Sequence, residues 1–204
     1  MGLTLMNINC ILFDDFETLD LFGPVEVFGN IDEYEIKYYS MNGGIITSSQ
    51  NVKILTENIM ENEIEGILVI PGGKGTRTLV NDNHFIKSLK DIIEKSIWCL
   101  TICTGSALLA KTELINNHKA TSNKNAFEWV KSINEKVNWI YDARWIVDGK
   151  YYTSAGISAG IDMALGFISD RFNDNRANDV AKNMEYVGIK KITVCKIVNH
   201  LEKH

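Results

Sequence analysis

Ile97-Trp98-Cys99-Leu100-Thr101-Ile102-Cys103-Thr104-Gly105-Ser106-Ala107 runs from an unbroken apolar stretch directly into small residues. Ile97–Ile102 reads as a strand buried on both faces, and Thr104–Lys111 resumes as a helix. Cys103 therefore stands where a strand becomes a helix, the arrangement of a nucleophile elbow. The first backbone N–H groups of a helix are unpaired and partly positive, which favours thiolate over thiol. Gly105 lets the helix pass close to the strand, and the Thr104 amide is placed to meet an oxyanion on a substrate. The same position also suits a small buried hydrophobe, as free cysteines commonly are.

Working outward, Asn7–Phe13 reads as a strand, Leu19–Phe28 as a helix, and Gly66–Ile70 (GILVI) as a second buried central strand. Tyr34–Ser40 alternates weakly, and Ile45–Leu55 supplies one or two short extended pieces. His84–Lys95, Ala126–Ser132, Ala159–Arg171 and Ala177–Tyr186 have helical spacing. Trp145–Val147 and Tyr151–Ser154 flank Asp148-Gly149, a dipeptide suited to a type I′ hairpin. Alternating strands and helices with continuous apolar strands predict one α/β domain over residues 1–204, a mostly parallel sheet covered on both faces with an antiparallel hairpin added.

Composition narrows the function. The chain has 204 residues, 45% of them hydrophobic and 23% charged, as in an ordinary globular domain. A formal net charge of −5 offers no basic field for a nucleic acid backbone. No apolar run reaches the roughly 18 to 20 residues of a membrane span, so the expected compartment is the cytoplasm. Cys10, Cys99, Cys103 and Cys195 form no CxxC pair and read as free thiols, with Cys10 and Cys99 in core packing. No cofactor and no metal are expected, and a small molecule is the expected partner.

Two other strand ends carry chemistry. Pro71-Gly72-Gly73-Lys74-Gly75 follows the second central strand, and its glycines allow backbone amides to approach a ligand, although taken alone they are better read as a tight turn. It lacks the spacing of a phosphate-binding P-loop. Asp20, between Leu19 and Leu21, is either a helix N-cap or a carboxyl group buried beside Cys103 with its pKa raised.

Taken together, LDLFGPVEVF, VIPGGKG, ICTGSALLA, ARWIVDG and SAGISAGIDMAL resemble the ThiJ/PfpI superfamily, in its isocyanide hydratase branch. The resemblance covers roughly residues 7 to 187. It implies a flavodoxin-like three-layer sandwich shared with class I glutamine amidotransferases, and a homodimer. It also implies Cys103 as nucleophile, Asp20 as the facing acid, Thr104 as an adjacent hydrogen-bonding residue, and the amides of Gly73 and Thr104 as an anion-stabilising pair beside Gly72. Gly156 and Ser158 would line the pocket. One departure matters: Asn123 occupies the position where relatives commonly carry a histidine. A Cys–His relay is then missing, which favours addition of water to a small electrophile over the protease or amidase chemistry also attached to the superfamily. A third reading is a redox sensor built on Cys103. Residues 188–204 read as an extra C-terminal helix without a counterpart in the family.

Overall fold

The computed structural model describes residues 5–62 and 64–188. The expected C-terminal helix, together with Cys195, His200 and His204, therefore lies essentially outside the described residues. Among those described, eight strands form one sheet: β1 (Met6–Ile11), β2 (Tyr34–Ser40), β3 (Gly44–Thr47), β4 (Lys53–Asn58), β5 (Ile67–Ile70), β6 (Trp98–Ile102), β9 (Trp145–Asp148) and β10 (Tyr151–Ser154). Their order is β3-β4-β2-β1-β5-β6-β10-β9. From β4 to β10 every neighbouring pair is parallel, and only β3 and β9, at the two edges, run antiparallel to their partners. A separate two-stranded piece pairs β7 (Lys119–Ala120) with β8 (Asn138–Trp139).

The helices form two groups. On one side α1 (Thr18–Gly29), α6 (Ala159–Arg171) and α7 (Asp174–Asn183) pack on one another. On the other, α2 (Thr76–Leu79), α3 (Asn83–Lys95), α4 (Gly105–Lys111) and α5 (Phe127–Ile133) do so. The sheet between them is the expected three-layer sandwich. Both faces of its central strands are covered, which is why all four residues of β5 are buried and why Ile8, Cys10, Leu100 and Ile102 have no exposure. Each large apolar side chain removed from water in this way contributes roughly 1.5–3 kcal/mol. Cys10 and Cys99 are fully buried sheet residues, as their apolar neighbours suggested.

Two local details differ from the sequence reading. Asp148 pairs with Tyr151 as a strand residue, so the hairpin loop is Gly149-Lys150, and of these only Gly149 has positive φ. A type I′ turn needs positive φ at both central residues and is excluded. The Asp148 carboxylate instead accepts the Lys119 amide at 2.8 Å. The last helix begins at Asp174 rather than Ala177, because the Asn173 side chain accepts the Arg176 amide at 3.0 Å and caps it.

The order of strands decides where a site can form. The chain leaves β1 toward β2 on one side and later places β5 on the other, and crevices at such switch points lie beyond the carboxyl ends of the strands. Phe16 after β1, Gly72 after β5 and Cys103 after β6 all fall at that end.

Candidate active site

Cys103 is in the left-handed region at φ 56°, which costs a non-glycine residue about 1–2 kcal/mol. The surroundings hold it there. Its amide donates to the Ser154 carbonyl at 3.2 Å, and its own carbonyl accepts the hydroxyls of Ser106 at 3.0 Å and Ser122 at 2.9 Å. Gly105 permits the turn: a Cβ there would lie 2.5 Å from the Ile70 carbonyl oxygen. Ser106 and Ser122 were not singled out in the sequence, because nothing in their spacing says that both reach one carbonyl.

Asp20 sits in the first turn of α1 and has no solvent exposure. It is not the N-cap, which is Glu17. One carboxyl oxygen, Oδ2, accepts the Gly72 amide at 3.0 Å. The other, Oδ1, is buried without a conventional hydrogen-bond partner, and the Cys103 thiol and the Ile157 amide approach the group. Burial pushes the Asp20 pKa up to about 7, with the Gly72 N–H opposing it and the charge of Glu17 adding to it. A carboxyl group in this state holds and releases a proton near neutral pH. Ile157 is itself at φ 46°, an outlier for a β-branched residue that no sequence pattern marks.

The glycine loop is knitted to the same place. Glu17 N donates to the Gly72 carbonyl at 2.8 Å, and Phe16 and Gly73 form an isolated bridge. A Cβ on Gly72 would come within 2.5 Å of the Thr104 nitrogen and 2.9 Å of Asp20 Oδ2, so only glycine fits between them. The Gly73 amide donates to Thr104 Oγ1 at 3.0 Å, and Thr76 Oγ1 donates to the Gly73 carbonyl at 2.7 Å. Gly73 N–H is thus engaged inside the protein rather than turned toward Cys103. Thr104 contributes at two points, its hydroxyl to this loop and its amide to the Cys103 sulfur.

The thiol itself departs from expectation. Burial pushes the Cys103 pKa up to about 12, and the neighbouring Asp20 charge adds to the rise, while the Thr104 amide and the Asn123 side chain favour the thiolate. The start of a helix does not outweigh loss of water here, so the resting group is a thiol. Asn123 lies beside it and also packs on Gly156, where a Cβ would fall 2.1 Å from Asn123 Nδ2. Ser158 is exposed, and its hydroxyl accepts from Arg144 at 3.3 Å.

Neither described histidine belongs to this cluster. His84 lies 3.3 Å from the Ser88 hydroxyl, and His118 pairs with Asp148 at 3.2 Å. Two cavities elsewhere, of about 750 Å³ beside Trp145 and Asp162 and about 620 Å³ beside Phe13 and His84, contain none of the residues around Cys103. Among the described residues no three His, Cys, Asp or Glu side chains cluster as metal ligands, and no helix is long and apolar enough to cross a membrane.

Residues 6–170 match the DJ-1/PfpI family, across the sheet, the elbow and most of α6. The chain belongs to the DJ-1/PfpI family. Among its DJ-1/PfpI relatives is a Pseudomonas putida protein named isonitrile hydratase, 24% identical over 182 residues, which are 89% of this chain and 78% of that one. An Escherichia coli protein named protein/nucleic acid deglycase 2 is 23% identical over 142 residues, 68% of this chain and 81% of the other. Two solved DJ-1/PfpI structures share the fold. A ThiJ/PfpI protein from Pseudomonas syringae superposes with a TM-score of 0.82 at 23% identity, over 93% of this chain and 77% of that one. Drosophila melanogaster DJ-1beta does so with 0.76 at 19% identity, over 90% and 99%.

Proposed function

We propose that this protein is a cysteine-dependent enzyme that adds water to a small electrophile, and that an isocyanide is the substrate. The observation that carries the reading is the buried Asp20 carboxyl set beside the Cys103 thiol, with neither described histidine near them. An acid beside the attacking sulfur delivers a proton to the atom that the sulfur attacks. For a carbonyl or a nitrile the proton is needed on the neighbouring oxygen or nitrogen instead. An isocyanide carbon accepts both the nucleophile and the proton.

The steps balance. As Cys103 sulfur attacks the terminal carbon of R–N≡C, the ionised Asp20 takes the thiol proton and returns it to that carbon, leaving R–N=CH–S bonded to Cys103. Asp20 next takes a proton from water as hydroxide adds to the carbon, and passes it to nitrogen. The hydroxyl proton then leaves through Asp20 as the C–S bond breaks, which releases R–NH–CHO and restores the thiol. No amine is expelled, so no further acid is required. The name of the Pseudomonas putida relative supports the same substrate class.

The test is turnover of a small alkyl isocyanide, an α-oxoaldehyde and a simple amide by the wild type and by Cys103→Ala. Formamide production that disappears in Cys103→Ala is expected, and a wild type that consumes only the oxoaldehyde or the amide would overturn the reading.

A further inference from the structure

Asn123 ends the stretch Ala120-Thr121-Ser122-Asn123, and its carboxamide has one orientation. Oδ1 accepts two backbone amides, Asn125 N at 2.8 Å and Ala126 N at 3.2 Å, and so caps the 3-10 turn Lys124–Ala126. An amide oxygen that takes both donors turns its NH2 group the other way. Here that direction is toward the Cys103 sulfur and over Gly156, where the missing Cβ leaves the space that Nδ2 fills. The neighbouring residue adds a second tie, because Ser122 holds the Cys103 carbonyl. Gly72 N–H is engaged by Asp20 and Gly73 N–H by Thr104. Asn123 Nδ2 and the Thr104 amide are thus the donors directed at the sulfur.

We propose that Asn123 Nδ2 is a catalytic donor that meets the electron pair placed on nitrogen when water adds to the sulfur-bound intermediate. This rests on the reading of the site as an addition enzyme and deepens it. Sulfur and nitrogen of R–N=CH–S are bonded to one carbon, so a donor that reaches the sulfur reaches the nitrogen with a small shift. The attack of water moves the C=N electron pair onto nitrogen, where the fixed N–H stabilises it until the Asp20 proton arrives. A carboxamide stabilises charge but gives up no proton near neutral pH.

The experiment compares the wild type with Asn123→Ser and Asn123→Asp. Serine caps a helical turn about as well as asparagine but brings no NH2, and aspartate keeps the acceptor oxygen while losing the donor. Two quantities are read: the pH profile of Cys103 alkylation by iodoacetamide, which needs no substrate, and kcat and KM on a small alkyl isocyanide. In both variants Cys103 alkylation is expected to be slower at each pH where the protein stays folded. The kcat is expected to fall by about 100-fold, the effect of losing one preorganised donor, with KM little changed and the melting temperature of Asn123→Ser kept. An unshifted alkylation profile with kcat within twofold of the wild type overturns the role of Asn123 and leaves the isocyanide reading intact. A loss of kcat matched by an equal loss of melting temperature in Asn123→Ser overturns it too, as a purely structural part. A shifted profile in a protein that turns over no isocyanide refutes the substrate and retains the donor.

Discussion

The Ser122 hydroxyl donates to the Cys103 carbonyl at 2.9 Å across 19 positions of sequence, and with Ser106 it holds a cysteine whose backbone is left-handed, the one such among the described cysteines. Two neutral hydrogen bonds of about 0.5–1.5 kcal/mol each match the cost of that conformation. Ser122→Ala removes one of them and leaves the other. We expect a loss of about 1 kcal/mol in denaturant titration. Cys103 alkylation should change at the same time, because the elbow is freer to relax. Full stability together with unchanged thiol reactivity would show that the clamp is idle.

Asp20 makes stability depend on pH in a definite direction. Its folded pKa is raised to about 7 from an ordinary value near 3.8, so the folded protein binds the proton more tightly than the unfolded chain. Stability from this group is fully present below the unfolded pKa and is lost as pH rises through about 7. A shift of this size corresponds to at most about 4 kcal/mol. Asp20→Asn cannot ionise, and its carboxamide oxygen can still accept the Gly72 amide. The variant should be nearly flat in stability between pH 4 and 8 in this respect, more stable than the wild type at pH 8, and without turnover. A wild type whose stability does not decline over that window would place the carboxyl in a wetter setting.

How far the site was readable depended on the kind of fact. The elbow at Cys103 was legible because a fully buried strand must be apolar throughout and a close helix start must be small, and IWCLTI followed by CTGSA states both. Asp20 was legible as a misplaced charge between two leucines, but its two readings were separated only by the Gly72 amide, 52 residues away. The thiol pKa was not legible, since depth of burial is a property of the packed layers and the helix start alone argued for the opposite sign. Gly73 shows the same limit: its amide was available in the sequence reading and is engaged by Thr104 Oγ1 in the fold.

A homodimer is expected from a patch beside the site. Leu19, Phe22 and Ile157 are 42%, 37% and 40% exposed although all are large and apolar, and the two residues of α1 flank Asp20. Sedimentation at micromolar concentration should give twice the chain mass of 23.0 kDa, and Phe22→Glu should shift it toward one. A wild type that sediments as a monomer removes the second subunit from any account of the pocket.

Thiol labelling separates reach from intrinsic acidity. Cys103 is 7% exposed, while Cys10 and Cys99 have no exposure. Limiting iodoacetamide should therefore label Cys103 ahead of those two, with a rate that climbs steeply toward alkaline pH because the thiol is pushed up to about 12. Earlier labelling of Cys10 or Cys99, mapped by mass spectrometry of tryptic peptides, would mean that the sheet opens more readily than the elbow.

Replacing Cys103 in two ways tests whether its backbone is under strain. Glycine enters the left-handed region freely, whereas alanine there bears a cost of about 1–2 kcal/mol. Both substitutions remove the thiol. In an ordinary helical or extended setting alanine is the more stabilising of the two, since glycine loses more conformational freedom on folding. At φ 56° the order should invert, with Cys103→Gly the more stable by up to about 1 kcal/mol once its larger entropy cost is subtracted. The removed side chains differ by a single methyl group in a small pocket, which contributes at most about 0.8 kcal/mol the other way. Equilibrium denaturation of the two variants under identical conditions decides it. A clear advantage for Cys103→Ala would mean that the turn relaxes out of the left-handed region once the sulfur is gone, and that the strain belongs to the cysteine rather than to the clamp of Ser106, Ser122 and Ser154 around it.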